Sequence, residues 1–170
     1  TTLNNTRKLS LFLFITVLAN AQTVDIDNTG GTSGLIGLGA SNYHASESIY
    51  TDAEIGSGNF TSAATAIEKI AFKAVAVGAS TSFGNVNIYL KNIPPTNTTL
   101  TTGTYSTAGY TLVFSGTVVI SSTGFTNITL STPFVRNAGD NLQLLVERTD
   151  NTAHAGFNYQ TSNGNSVNLT

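Results

Sequence analysis

The chain has 170 residues, of which 9% are charged and 40% hydrophobic, and it contains no Cys, Met or Trp. Seven Lys and Arg against nine Asp and Glu leave no basic footprint for nucleic acid. Without cysteine there is no disulfide framework, no thiolate zinc site and no cysteine nucleophile.

Taken in chain order, Arg7 and Lys8 precede the apolar run from Leu9 to Leu18, and Ala19-Asn20-Ala21 follows. A positive segment, a short apolar segment and a small-x-small site predict a signal peptide over residues 1–21. The run is shorter than the roughly 20 residues a bilayer span needs. Cleavage near Ala21 would leave five basic and nine acidic residues and no membrane span in the mature chain. The expected location is therefore outside the cell or on its surface. Residues 22–45 read as a flexible mature N-terminus or a first strand, and residues 46–170 as one domain.

From there the pattern is strand and turn. Ser48 to Ile55 reads as a strand, residues 61–65 as a turn, and residues 67–77 alternate as a half-buried strand does. Val86, Ile88 and Leu90 alternate against Asn87 and Tyr89. Pro94 and Pro95 cannot donate ladder hydrogen bonds, so Ile93 to about Thr104 reads as a loop. Residues 111–120 form one long or two short strands. Phe125 to Leu130, Asn141 to Arg148 and Ala155 to Tyr159 complete the set. Thr123-Gly124, Asn137-Ala-Gly-Asp140 and Asn163-Gly164 carry turn chemistry. About eight strands so separated, with no crossover helices, predict an all-β domain: a single antiparallel β-sandwich of jelly-roll or Greek-key type. The 28 threonines fit this reading, because a branched Cβ suits the pleat while the hydroxyl faces water.

Several segments resemble a known family. They are Ile49 to Ile55, Ile67 to Phe72, Val86 to Asn92, Thr111 to Thr117, Gly124 to Phe134 and Asn141 to Val146. Together they resemble a β-sandwich module found in secreted and cell-surface proteins of Bacteroidetes, often N-terminal in chains sorted by the type IX secretion system. The resemblance spans roughly residues 47–159 and lies in strand cores and turns. It implies an adhesin-like or accessory role, and it brings no catalytic residues with it.

The candidate sites are few. His44 and His154 are the only histidines, no Gly-x-Ser-x-Gly elbow occurs, and neither histidine has a plausible triad. Asp52 and Glu54 would share one face of a strand, which does not set two carboxyls across a scissile bond. The run from Asp25 to Gly30 begins like a calcium loop, but Ile36 stands where the bidentate Glu would be required. Structural calcium is the one cofactor weighed, with Asp25, Asp27, Asp140 and Asp150 as candidate oxygen donors. Tyr89, Tyr105 and Tyr110 are the candidate ligand-binding residues, because tyrosine offers contact area at low conformational cost. The expected function is non-enzymatic: adhesion or binding at a bacterial surface, with a surface glycan or a protein as partner. The alternative is a carbohydrate-binding accessory module of a larger secreted hydrolase.

Overall fold

In a computed structural model the alternating segments resolve, among the described residues, into nine strands and one short helix. The structure describes residues 32–33, 43–57, 65–76, 81–100, 105–152, 158–160 and 166–169. The segment 1–21, Asp25, Asp27 and His154 lie outside the described residues, as do most of the expected 61–65 turn and Asn163-Gly164. The strands are β1 (Thr32–Ser33), β2 (His44–Tyr50), β3 (Thr65–Ala76), β4 (Thr81–Ile93), β5 (Thr111–Ile120), β6 (Gly124–Arg136), β7 (Asn141–Arg148), β8 (Asn158–Gln160) and β9 (Ser166–Leu169). The helix α1 is Asp52–Ser57. No helix among the described residues is long and apolar enough to cross a membrane.

The fold is an all-β antiparallel sandwich. One sheet has the order β1-β8-β3-β6 and the other β5-β4-β7-β2-β9. The antiparallel pairs β4–β5, β3–β6, β2–β7 and β1–β8 nest inside one another. That nesting is a long hairpin rolled into two sheets, the jelly-roll winding. The ninth strand, β9, adds outside this set and pairs with β2.

The two inner faces share one apolar core. Phe72 and Ala74 of β3, Phe83, Val86, Ile88 and Leu90 of β4, and Val113, Val118 and Ile120 of β5 enter it. Ile128, Leu130 and Phe134 of β6 and Leu142, Leu144 and Val146 of β7 complete it. Each such side chain stabilises the fold by about 1.5–3 kcal/mol through burial. The opposite faces carry exposed Thr117, Asn127 and Thr129, as the alternation requires.

Register slips where a strand carries a residue it cannot pair. Gly84 and Asn85 bulge between the pairs Phe83–Val118 and Val86–Gly116, and Asn85 takes a φ of 50°. Asparagine tolerates that left-handed backbone better than most residues. The same bulge lets β4 begin at Thr81, well ahead of the expected Val86. On β6, pairing jumps between Phe134 and Thr129, which sets Pro133 outside the ladder. Residues 111–120 form one strand, bulged where Ile88 pairs with Phe114 but Tyr89 with Leu112.

The expected strand Ser48–Ile55 is corrected: it ends at Tyr50 and turns into α1. The reason is local. Thr51 and Glu54 form a capping box, with the Thr51 N–H and hydroxyl both 2.7 Å from Glu54 Oε2 and the Glu54 N–H 3.2 Å from Thr51 Oγ1. Asp52 and Glu54 therefore do not share a strand face. Ile55 instead drops into the core.

Each end of the sandwich is closed by a buried arginine. At one end Arg136 is 1% exposed, ion-pairs with Asp52 and donates to the Asp140 carbonyl at 2.8 Å. Asn141 ties the same corner together: its Oδ1 accepts from the Asp52 N–H at 2.8 Å and its Nδ2 donates to the Asn97 carbonyl at 2.9 Å. At the other end Arg148 lies 3.1 Å from Asp150, donates to the Thr152 carbonyl at 3.1 Å and stacks over Phe83. His44, opposite Arg148 in the ladder, is buried beside it.

Removing one partner of a buried pair strands the other charge. Asp52→Ala should cost about 2–3 kcal/mol in urea denaturation, below the full penalty because Asp52 is 36% exposed. Arg136→Met should cost less, since Asp52 can then turn to water. Burial, and then the charge of Arg148, lowers the His44 pKa below the usual 6.5. The unfolded chain therefore takes up that proton first as pH falls. Stability should be level above the ordinary histidine range and decline as pH drops below it. Between pH 7.5 and 5.5, His44→Gln should show a smaller loss than the parent protein.

Candidate functional site

The outer face of the five-stranded sheet follows from the same alternation. Where Leu142, Leu144 and Val146 of β7 point into the core, Gln143, Leu145 and Glu147 must point away from it. The ladder sets Glu147 opposite Asn87 on β4 and Ala45 on β2, with Leu145 between Tyr89 and Glu47. Gln143 lies between Lys91 and Ile49 in the next row. Two carboxylates, a tyrosine and a lysine thus share one sheet floor.

That floor is covered rather than open. Ala45 and Leu145 are buried, and Tyr89, Tyr105 and Tyr110 pack against them as a second apolar cluster. Tyr105 and Tyr110 arrive on the segment linking β4 to β5. A turn closed by the Tyr110 N–H donating to the Thr107 carbonyl at 3.1 Å, with Gly109 at φ 77°, aims Tyr110 back at the sheet. The rings of Tyr89 and Tyr110 meet edge to face at 6.4 Å.

The carboxylates hold this cover in place. Glu147, 8% exposed, accepts from Tyr89 Oη at 2.7 Å, Asn87 Nδ2 at 2.9 Å and Tyr105 Oη at 2.9 Å. Glu47, 9% exposed, accepts from Tyr110 Oη at 2.6 Å. Neither is ion-paired among the described residues. Burial, then the bond and charge of Glu147, pushes the Tyr89 pKa up to about 12. Tyr105 is raised by the same causes in the same order. Tyr110 is raised by burial first and then by its bond to Glu47.

Beside the tyrosines lies a cleft of about 300 Å³, at the lower end of the range for small-ligand sites. Ile49 and Ile93 lie on its sheet side, and Glu47, Lys91, Tyr105, Tyr110 and Gln143 supply its chemistry. Lys91 Nζ sits 5.2 Å from the Tyr110 ring centroid. Lys91 and Gln143 have no side-chain hydrogen bond or ion pair among the described residues, so their donors remain available to a ligand.

The three tyrosines read from the sequence are thus brought together, Tyr105 and Tyr110 on the cleft wall and Tyr89 beneath. Of the other tyrosines whose side chains are described, Tyr43 is exposed and Tyr50 packs on the core. Glu147, Lys91 and Gln143 escaped sequence reading, although strand parity places Glu147 and Gln143 on the outer face once Leu142, Leu144 and Val146 are set inward. Of the candidate calcium donors, the two among the described residues, Asp140 and Asp150, are not brought together. Asp140 and Asp150 stand beyond opposite ends of β7, and each carboxylate already accepts from protein donors. Among the described residues no three acidic or histidine side chains cluster to hold a metal. The chain matches no protein-family model, no curated protein and no solved structure.

Raised tyrosine pKa values stabilise the fold below the ordinary tyrosine range, and that stability is lost as pH climbs. Unfolding free energy should therefore fall from about pH 10 upward through the value near 12 of Tyr89. Glu147→Gln should cost about 2–3 kcal/mol at pH 7, because three donors lose a charged acceptor. It should also lower the alkaline midpoint of absorbance titration at 295 nm only in part, since burial is the larger cause.

Proposed function

We propose that the protein is an exported, non-enzymatic β-sandwich module that binds a saccharide in the cleft of its five-stranded sheet. The supporting observation is convergence. Two tyrosine rings, an ammonium, a primary amide and a carboxylate meet at one small opening on a rigid sheet. Donors and acceptors at short intervals suit a polyhydroxylated ligand better than an apolar one. Ring edges and faces of Tyr105 and Tyr110 offer the flat contact that a sugar ring needs.

The carboxylates favour binding over chemistry. Glu47 and Glu147 stand on neighbouring strands of one floor and are engaged by tyrosine hydroxyls. A glycosidase pair would have to flank the scissile bond with one carboxyl free to give a proton. His44, at the start of β2, is buried against Arg148 at the end of the sandwich.

The resemblance to Bacteroidetes secreted and surface modules, and the signal peptide expected from the sequence, support such binding outside the cell. A cell-surface adhesin and an accessory module of a secreted hydrolase would use the same cleft. The test is a glycan array followed by calorimetry on the purified chain. A defined saccharide should bind, and Gln143→Ala should weaken it by about tenfold while the unfolding midpoint holds. Release of reducing ends from bound saccharides, or retention of none, would overturn the proposal.

A further inference from the structure

The saccharide reading can be carried to a class of ligand, because the two charged groups of the cleft are not equivalent. Glu47 is nearly buried and its Oε1 accepts the Tyr110 hydroxyl at 2.6 Å. Lys91 is half-buried, and among the described residues its ammonium has neither a hydrogen bond nor an ion pair. Its three N–H groups are therefore the strongest unspent donors at the opening.

Its position is also set. The ammonium rests 5.2 Å from the Tyr110 ring centroid. It lies beside the turn at Gly109, where a Cβ would meet Lys91 Nζ at 3.5 Å, an ordinary van der Waals contact. The ring face orients the charge without consuming a donor. A pre-placed ammonium forfeits less side-chain entropy on binding than a free one.

Among the described residues the opposite charge at the cleft, Glu47, forms no ion pair with Lys91. Glu47 is on β2 and Lys91 on β4, with β7 between them. Two strand spacings separate their backbones by roughly 10 Å. Gln143, on β7, stands next to Lys91 in the ladder. An anion seated on the ammonium would thus stand beside an amide that can bind hydroxyls.

We propose that this cleft selects saccharides bearing a carboxylate, with Lys91 receiving the carboxylate and Gln143 the adjoining hydroxyls. This rests on the saccharide reading above. The experiment compares an oligouronate with its carboxyl-reduced neutral counterpart, by calorimetry on the full chain at low and high salt. The parent protein should bind the uronate about tenfold more tightly, and added salt should shrink that margin. Lys91→Gln should bind both alike, and Lys91→Arg should keep the preference. Equal affinity in the parent protein, or a preference that survives Lys91→Gln, would overturn the selectivity while leaving saccharide binding intact. If neither compound binds and the array is also silent, both readings fall together. Circular dichroism of each variant separates a lost contact from a lost fold.

Discussion

A carboxylate with no cation beside it stays buried only if neutral donors converge on it, and Glu147 sets that demand for the whole outer face of the five-stranded sheet. Asn87 and Tyr89 answer from the neighbouring strand β4. Tyr105 answers from the loop. That last bond draws the β4–β5 connection down over the sheet, and the Tyr110–Glu47 bond pins it a second time. The cleft exists because this cover is held at two tyrosines and opens beside them. Lys91 is positioned by the same arrangement, through the face of Tyr110.

The strand that carries Glu147 also organises the core. β7 lies inside its sheet, between β4 and β2. Its even positions from Leu142 to Val146 enter the core, and its odd positions from Gln143 to Glu147 form the floor of the outer face. At its ends, Asn141 and Arg148 turn polar side chains into the two corners of the sandwich. Side chains so constrained on both faces leave little room for a register slip, since a shift of one residue would expose three core residues and bury Gln143 and Glu147 in apolar surroundings. The register irregularities fall instead in the β4–β5, β3–β6 and β3–β8 pairs, of which β5 and β6 stand at sheet edges among the described residues.

Legibility in the sequence followed the range of the forces involved. Alternation in β4, β6 and β7 was readable because a strand's inward and outward positions depend only on parity. The turn Asn137–Asp140 was readable because Gly139 supplies the positive φ it needs. The end of β2 was missed because period-two reading runs straight through Thr51-Asp-Ala-Glu54, whose capping box is an equally local signal for a helix. Tyr89, Tyr105 and Tyr110 could be singled out as residue types. Their partners could not, since Glu147 lies 42 and 58 residues away from Tyr105 and Tyr89.

The chain by itself therefore determined the all-β class, the sandwich, the inward residues of its central strands and several of its turns. Those depend on side-chain period, branching at Cβ and the backbone freedom of Gly, Pro and Asn, all of which act within a few residues. Only the tertiary structure decided the nested order of the strands, the burial of Arg136 and Arg148 at the ends, and the cleft of Glu47, Lys91, Tyr105, Tyr110 and Gln143. Each of those joins residues from separate strands or loops. Hydrogen-bonded pairing across the sheets brings such residues together, and no local pattern along the chain encodes it.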